Sequence, residues 1–171
     1  MALTTQPKPA LYAKHIGFTS SPLLYGAEKA AQTYTKGAFV QDDDSGLITE
    51  SASPIDASGV TKRAFGLARD SATGVTSAEV ALYWLGPQTV IEITLSDSTA
   101  GTHTLAAANM WKVYPITKGT TNWYLDANAV SDTGGGIVVG FKDAVGTVDG
   151  RVYMILTNTA RGGANAGSGT Y

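Results

Sequence analysis

From residue 36 onward, short runs of β-branched and aromatic residues are broken at close intervals by glycine, proline or Asx–Gly pairs. Long helices cannot keep such punctuation, whereas strands pleat with a period of two and tight turns call for glycine, asparagine or aspartate. Ala38, Phe39 and Val40 read as a strand, Asp42, Asp43, Asp44, Ser45 and Gly46 as turn chemistry, and Leu47, Ile48, Thr49 and Glu50 as the returning strand. Residues 64–69 make another, in which Gly66 marks a bulge or a close backbone approach. Over 78–85, Val80, Leu82 and Trp84 share one side, which predicts burial of Trp84; over 89–95, Ile91, Ile93 and Leu95 do the same. With Gly86 and Pro87 between them, these two runs predict a hairpin. Further strands are expected at 111–116, 122–125, 136–142 and 150–156, with turns at Lys118-Gly119, Thr133-Gly134-Gly135 and Asp149-Gly150. Residues 104–110 fit either a short helix or an irregular crossing. Regular short strands of this kind argue for an all-β barrel or sandwich with little helix. The sequence pattern shows no internal repeat.

The first 35 residues differ from the rest. Pro7, Pro9 and Pro22 interrupt pairing, while Leu11, Tyr12, Ile16, Phe18, Leu23, Leu24 and Tyr25 are apolar anchors. We expect an extended N-terminal arm over 1–35 lying on its own barrel or on a neighbour, with one or two helical turns within 27–32. Residues 36–157 form the β-barrel domain, with 36–76 a first hairpin unit and 77–157 the main barrel. The Gly-rich stretch 158–171 reads as a flexible tail.

At 171 residues the chain has room for one good core. Charged residues are only 15% of it, below the roughly 25% of ordinary soluble domains, so much of its surface is uncharged and suited to contact with other subunits. A net charge of −2 gives no general attraction for phosphate backbones, which argues against a nucleic-acid partner. There is no cysteine, so disulfides and thiolate metal sites are excluded. The N-terminal residues lack the basic segment and apolar run of a signal peptide, and no stretch reaches the roughly 18 apolar residues of a membrane span. The expectation is a soluble protein made inside a cell, with no membrane partner.

Chemistry-bearing residues are sparse. His15 and His103 are the only histidines, and neither sits in a nucleophile context; His103 lies between threonines in an expected loop. Asp42, Asp43 and Asp44 could offer oxygen ligands to calcium, but they neither alternate nor end in a spaced glutamate, and an Asp-rich turn capping local amides is the simpler account. Gly134, Gly135 and Gly136 precede a strand rather than open a helix, unlike a phosphate loop. Trp84, Trp111, Trp123, Tyr124 and Tyr153 would line a sugar-binding face if two or more were exposed together; core and interface packing is their commoner use. These readings point to a non-enzymatic protein without cofactor or metal.

Lys36-Gly37-Ala38-Phe39-Val40, the acidic turn, Leu47-Ile48-Thr49-Glu50 and Ala64-Phe65-Gly66-Leu67-Ala68 together resemble the first β-unit of head decoration (cement) proteins of tailed bacteriophages. Trp123-Tyr124-Leu125-Asp126, the apolar run 137–141 and the closing strand 150–156 are similar to that family's second half. The resemblance spans 36–157 and implies a β-tulip-like barrel on the outer surface of a virion, made in the bacterial host cytoplasm. The implied partners are the major capsid protein and further copies of the chain, as a trimer in preference to a dimer, clamping adjacent capsomers. On this reading the arm makes the capsid contact through Leu3, Pro7, Pro9, Leu11 and Tyr12, which are apolar yet lie outside the patterned core. The alternatives are another virion part, such as a tail or head-completion subunit, and a carbohydrate-binding surface module.

Overall fold

A computed structural model of the chain describes residues 8, 10–15, 23–43, 45–55, 64–99, 102–129, 134–157 and 160. The fold is all-β. Its strands are β1 (Leu11–His15), β2 (Leu23–Glu28), β3 (Phe39–Asp42), β4 (Leu47–Glu50), β5 (Gly66–Ala68), β6 (Glu79–Trp84), β7 (Thr89–Ser96), β8 (Val113–Tyr114), β9 (Ile116–Lys118), β10 (Trp123–Asp126), β11 (Gly136–Phe141) and β12 (Arg151–Leu156). The ambiguous stretch 104–110 contains a single 3₁₀ turn, Ala107–Asn109.

Strands β2 to β6 close into a barrel in the order β2-β4-β3-β5-β6, with β6 returning to β2. The pair β2 and β4 is parallel and every other pair antiparallel. Gly66 makes this closure possible: a Cβ there would meet Leu82 Cδ1 at 2.6 Å and Val40 Cγ2 at 3.0 Å. The close approach expected from the sequence is therefore present.

The remaining strands form a second sheet in the order β8-β11-β12-β7-β10-β9, with β1 added to β7. The two ends of that path, β8 and β9, are separated in the chain only by Pro115. They are the two halves of one bent strand, so the path closes on itself. Pro115 lacks an N–H and suits the corner, while its carbonyl accepts from Asp126 N at 2.9 Å. Gly135, at φ 128°, lets the chain pass the Tyr114 carbonyl, where a Cβ would overlap.

The two barrels have the same plan. Taking β8 and β9 as one strand, the second runs β7-β10-β8/9-β11-β12 and back to β7, with β7 and β10 the parallel pair. That is the order and direction of β2-β4-β3-β5-β6. Individual hydrogen bonds correspond as well. Gly37 N to Ala68 O (2.9 Å) and Ala68 N to Ala38 O (2.8 Å) match Trp111 N to Val138 O (2.9 Å) and Val138 N to Lys112 O (3.0 Å). Ser51 N to Phe39 O matches Asp126 N to Pro115 O, and Glu28 N to Ala78 O matches Leu95 N to Gly150 O. Positive φ values recur at matched places: Gly37 and Trp111 (84° and 64°), Gly74 and Gly146 (74° and 96°), Ser77 and Asp149 (60° and 47°). The repeat absent from the sequence pattern is thus plain in the backbone.

One hydrophobic core runs through both barrels. Phe39 of the first meets Trp123 of the second edge-on, with centroids 5.5 Å apart at 71°. Glu50 at the end of β4 accepts from Lys118 Nζ at 2.6 Å and from Trp123 Nε1 at 3.2 Å. Ile55 and Ile116 exchange backbone hydrogen bonds of 2.8 and 3.1 Å.

Several expectations are corrected. The runs 78–85 and 89–95 do not form a hairpin: β6 pairs with β2 and β5, and β7 with β1, β10 and β12. Gly86 and Pro87 carry the chain from one barrel to the other, and β7 is buried on both faces, as a central strand must be. Trp84 is exposed rather than buried, because it ends β6 and lays its indole over Gly86, where a Cβ would overlap it. Within the expected arm, 11–15 and 23–28 are strands, and β2 replaces the helical turn begun at residue 27. Its last residue, Glu28, is fully buried and accepts from Thr73 N (2.8 Å), Thr73 Oγ1 (3.0 Å) and Gly74 N (2.7 Å). Those bonds fix an extended backbone there. The expected tail beyond residue 160 lies outside the described residues.

Candidate interaction surface

Of the five residues expected to touch a capsid, Leu3, Pro7 and Pro9 lie outside the described residues. Leu11 is 39% exposed on β1, opposite Glu92. Tyr12 is engaged within the fold: it pairs with Ile91 and stacks on Tyr83, with centroids 4.8 Å apart and planes at 16°. An aromatic packed in this way against the core is not free for a partner. Deleting residues 1–15 would remove β1 from β7, so trimming residues 1–9 is the variant that probes the arm without breaking the sheet.

The acidic turn does what the simpler account expected. Asp43 Oδ1 accepts from Ser45 N (3.0 Å) and Leu47 N (3.2 Å), and Asp42 Oδ1 from Gly46 N (3.0 Å). Lys29 Nζ stands 3.2 Å from Asp43 Oδ2. Partial burial works against the Asp43 carboxylate, but the Ser45 amide, Lys29 and the Leu47 amide outweigh it and hold the carboxyl below its ordinary range. Among the described residues, no three His, Cys, Asp or Glu side chains gather as a metal site would need.

His103 belongs to a structural chain of bonds. Its N–H donates to Asp149 Oδ1 (2.9 Å), its Nε2 lies 3.3 Å from Asn109 Oδ1, and Asn109 Nδ2 donates to the buried Tyr114 hydroxyl (2.8 Å). These bonds tie the 3₁₀ turn to the loop before β12. On the flank of β7 and β12, Arg151 Nε pairs with Glu92 Oε1 at 2.8 Å, and its backbone N–H donates to Asp143 Oδ2 at 2.7 Å. Burial, followed by the nearby carboxylates Glu28 and Glu50, pushes Tyr34 up to about 12. Burial and Asp126 push Tyr124 up to about 12 as well. Both phenols stay neutral at physiological pH.

Several large apolar side chains remain in solvent. Trp111 is 71% exposed, Tyr25 59%, Leu24 43% and Trp84 41%. Trp123 and Tyr124, two further candidates for a sugar-binding face, are buried. Trp111 is the notable member. It sits at φ 64°, a left-handed conformation that costs an L-residue roughly 1–2 kcal/mol and that the first barrel meets with Gly37. A bulky aromatic held in solvent at a position fitted to glycine is unfavourable for folding alone, and such outliers collect where a side chain works on something else. Sequence alone gives no signal for this, since the strain shows only in the backbone.

No known protein-family model matches the chain, and no curated protein matches it in sequence. Among the described residues no helix is long and apolar enough to cross a membrane.

Proposed function

We propose that this chain is a non-enzymatic structural protein that binds other proteins through uncharged surface, and specifically that it decorates the outside of a tailed-phage head, clamping adjacent capsomers. The observation that carries the binding role is Trp111: exposed, aromatic, and retained against backbone strain. Two barrels welded through Phe39, Trp123, Glu50 and Lys118 supply a rigid platform for it. The capsid as target rests on the resemblance of 36–157 to head decoration proteins. Self-association as a trimer accords with that reading, because weak contacts repeated by symmetry add through multivalency.

Co-sedimentation with expanded, undecorated phage heads tests this directly, with light scattering on the free protein. Saturable binding near one trimer per three-fold position is expected, weakened by trimming residues 1–9 and by Trp111→Gly. Absence of binding to any head, with a ring in solution, would replace this reading by a tail or head-completion subunit. A glycan-binding module is the alternative, and would need exposed aromatics such as Trp84 and Trp111 to share one face. Quenching of tryptophan fluorescence by a soluble host polysaccharide, with no head binding, would select it.

A further inference from the structure

In the second barrel, β7 has a neighbour along nearly its whole length on the β10 side. Thr94, Leu95 and Ser96 pair with β10, and past the β9–β10 turn β1 takes over, with Leu11 opposite Glu92, Tyr12 opposite Ile91, Lys14 opposite Val90 and His15 opposite Thr89. The first barrel has the same arrangement half built. Ala27 and Glu28 of β2 pair with Leu47 and Ile48 of β4, and there the pairing stops at the β3–β4 turn. Among the described residues, no strand lies beside Leu23, Leu24 and Tyr25 on that side; their other side pairs with Tyr83, Leu82 and Ala81 of β6.

Alternation fixes which groups face the gap. Glu28 N donates to Ala78 O, and Glu28 O accepts from Ser77 N, so Glu28 faces β6, and with it Gly26 and Leu24. Leu23, Tyr25 and Ala27 therefore turn their N–H and C=O groups to the β4 side, where Ala27 meets β4 and, among the described residues, Leu23 and Tyr25 meet no strand. The second barrel agrees. Leu95 is the counterpart of Glu28 and donates to Gly150 O, so Val90 and Glu92, the counterparts of Leu23 and Tyr25, face β1.

Exposure follows the same contrast. Ile91 and Glu92, the counterparts of Leu24 and Tyr25, are buried and half-buried, whereas Leu24 and Tyr25, on opposite faces of β2, stay 43% and 59% exposed. Proteins blunt open strand edges with charge, bulges or proline, yet residues 23–27 carry no charge and pair with β6 without a bulge.

We propose that the open edge of β2 at 23–25 is a strand-addition site, taking an extended apolar segment of a partner protein antiparallel to β2, as β1 lies on β7. The partner strand would bond to the Leu23 and Tyr25 main chain and cover Leu24 and Tyr25 with uncharged side chains. The site stands whether or not the partner is a capsid protein.

The test uses the full chain and, as probe, a synthetic peptide with the sequence of residues 8–15, which contains the β1 strand. Tethering keeps the chain's own β1 on β7. The Leu23 and Tyr25 amides should exchange freely in the chain alone and slow by at least about tenfold with saturating peptide, while Val90 and Glu92 stay unchanged. Of two peptides N-methylated on alternate amides, one should lose this effect and the other keep it, because only one set faces β2. Protection of Leu23 and Tyr25 before any peptide is added, no change at millimolar peptide, or equal protection by both methylated peptides would each overturn the proposal. All three measurements leave the protein's own sequence intact, so misfolding cannot imitate any outcome.

Discussion

The two barrels are built to one plan and finished differently. The second is sealed: β1 completes the flank of β7, and Glu92 of β7 pairs with the buried Arg151 of β12 at 2.8 Å. The first leaves the matching flank of β2 without a strand among the described residues and keeps Leu24 and Tyr25 in solvent. A shared strand order therefore does not dictate a shared surface. At the matched position before the second strand the roles reverse, for the first barrel uses Gly37 where the second holds out Trp111. Both of these departures from the common plan leave large apolar groups exposed.

Substitutions can break or sharpen this contrast. The largest effect is expected at Trp123, which is fully buried and serves both halves by meeting Phe39 and donating to Glu50. Trp123→Ala should cost about 3–5 kcal/mol, and denaturant unfolding should lose its single transition as the barrels uncouple. Next is Glu28, whose carboxylate binds the β5–β6 loop only in the first barrel. Glu28→Ala leaves the Thr73 and Gly74 amides without their acceptor and should cost about 2–3 kcal/mol, with faster amide exchange at those residues while the loop at 142–150 is unaffected.

Trp111→Gly sharpens the comparison by giving the second barrel the first barrel's residue. Relief of left-handed strain should make the variant as stable as the parent or more so, by up to about 1 kcal/mol, even as partner binding weakens. Loss of several kcal/mol in thermal unfolding would show instead that Trp111 is structural. The smallest effect is expected at Asp43. Its carboxyl is held below the ordinary value, so the stability it lends the β3–β4 turn is present above the unfolded-state value of about 3.9 and is lost as pH falls through the lower folded-state value. Following the Ser45 and Leu47 amide shifts in an acid titration should give a midpoint below about 3.9.

Much of the strand inventory was legible in the sequence, because glycines and Asx turns bracket alternating runs; β3, β4, β5 and β10 to β12 fall where the pattern places them. Two things were not. Pairing partners depend on where the chain goes after a turn, and Gly86-Pro87 sends β7 to another barrel rather than back along β6. The repeat was hidden because its matched positions share backbone geometry and little chemistry: Ser77 answers to Asp149, and Gly37 to Trp111. Of the candidate surface, the sequence singles out Leu11, Tyr25 and Trp111 as residue types, but the exposure of Tyr25 and Trp111 and the left-handed φ of Trp111 show only in the structure.

Residue-resolved amide exchange on the free chain measures the asymmetry between the flanks of β7 and β2 directly. Val90 and Glu92 should be strongly protected by β1, while their counterparts Leu23 and Tyr25 should exchange nearly as fast as in an unfolded chain. Equal protection at the two sets would mean that both barrels are sealed and that β2 offers no edge to a partner.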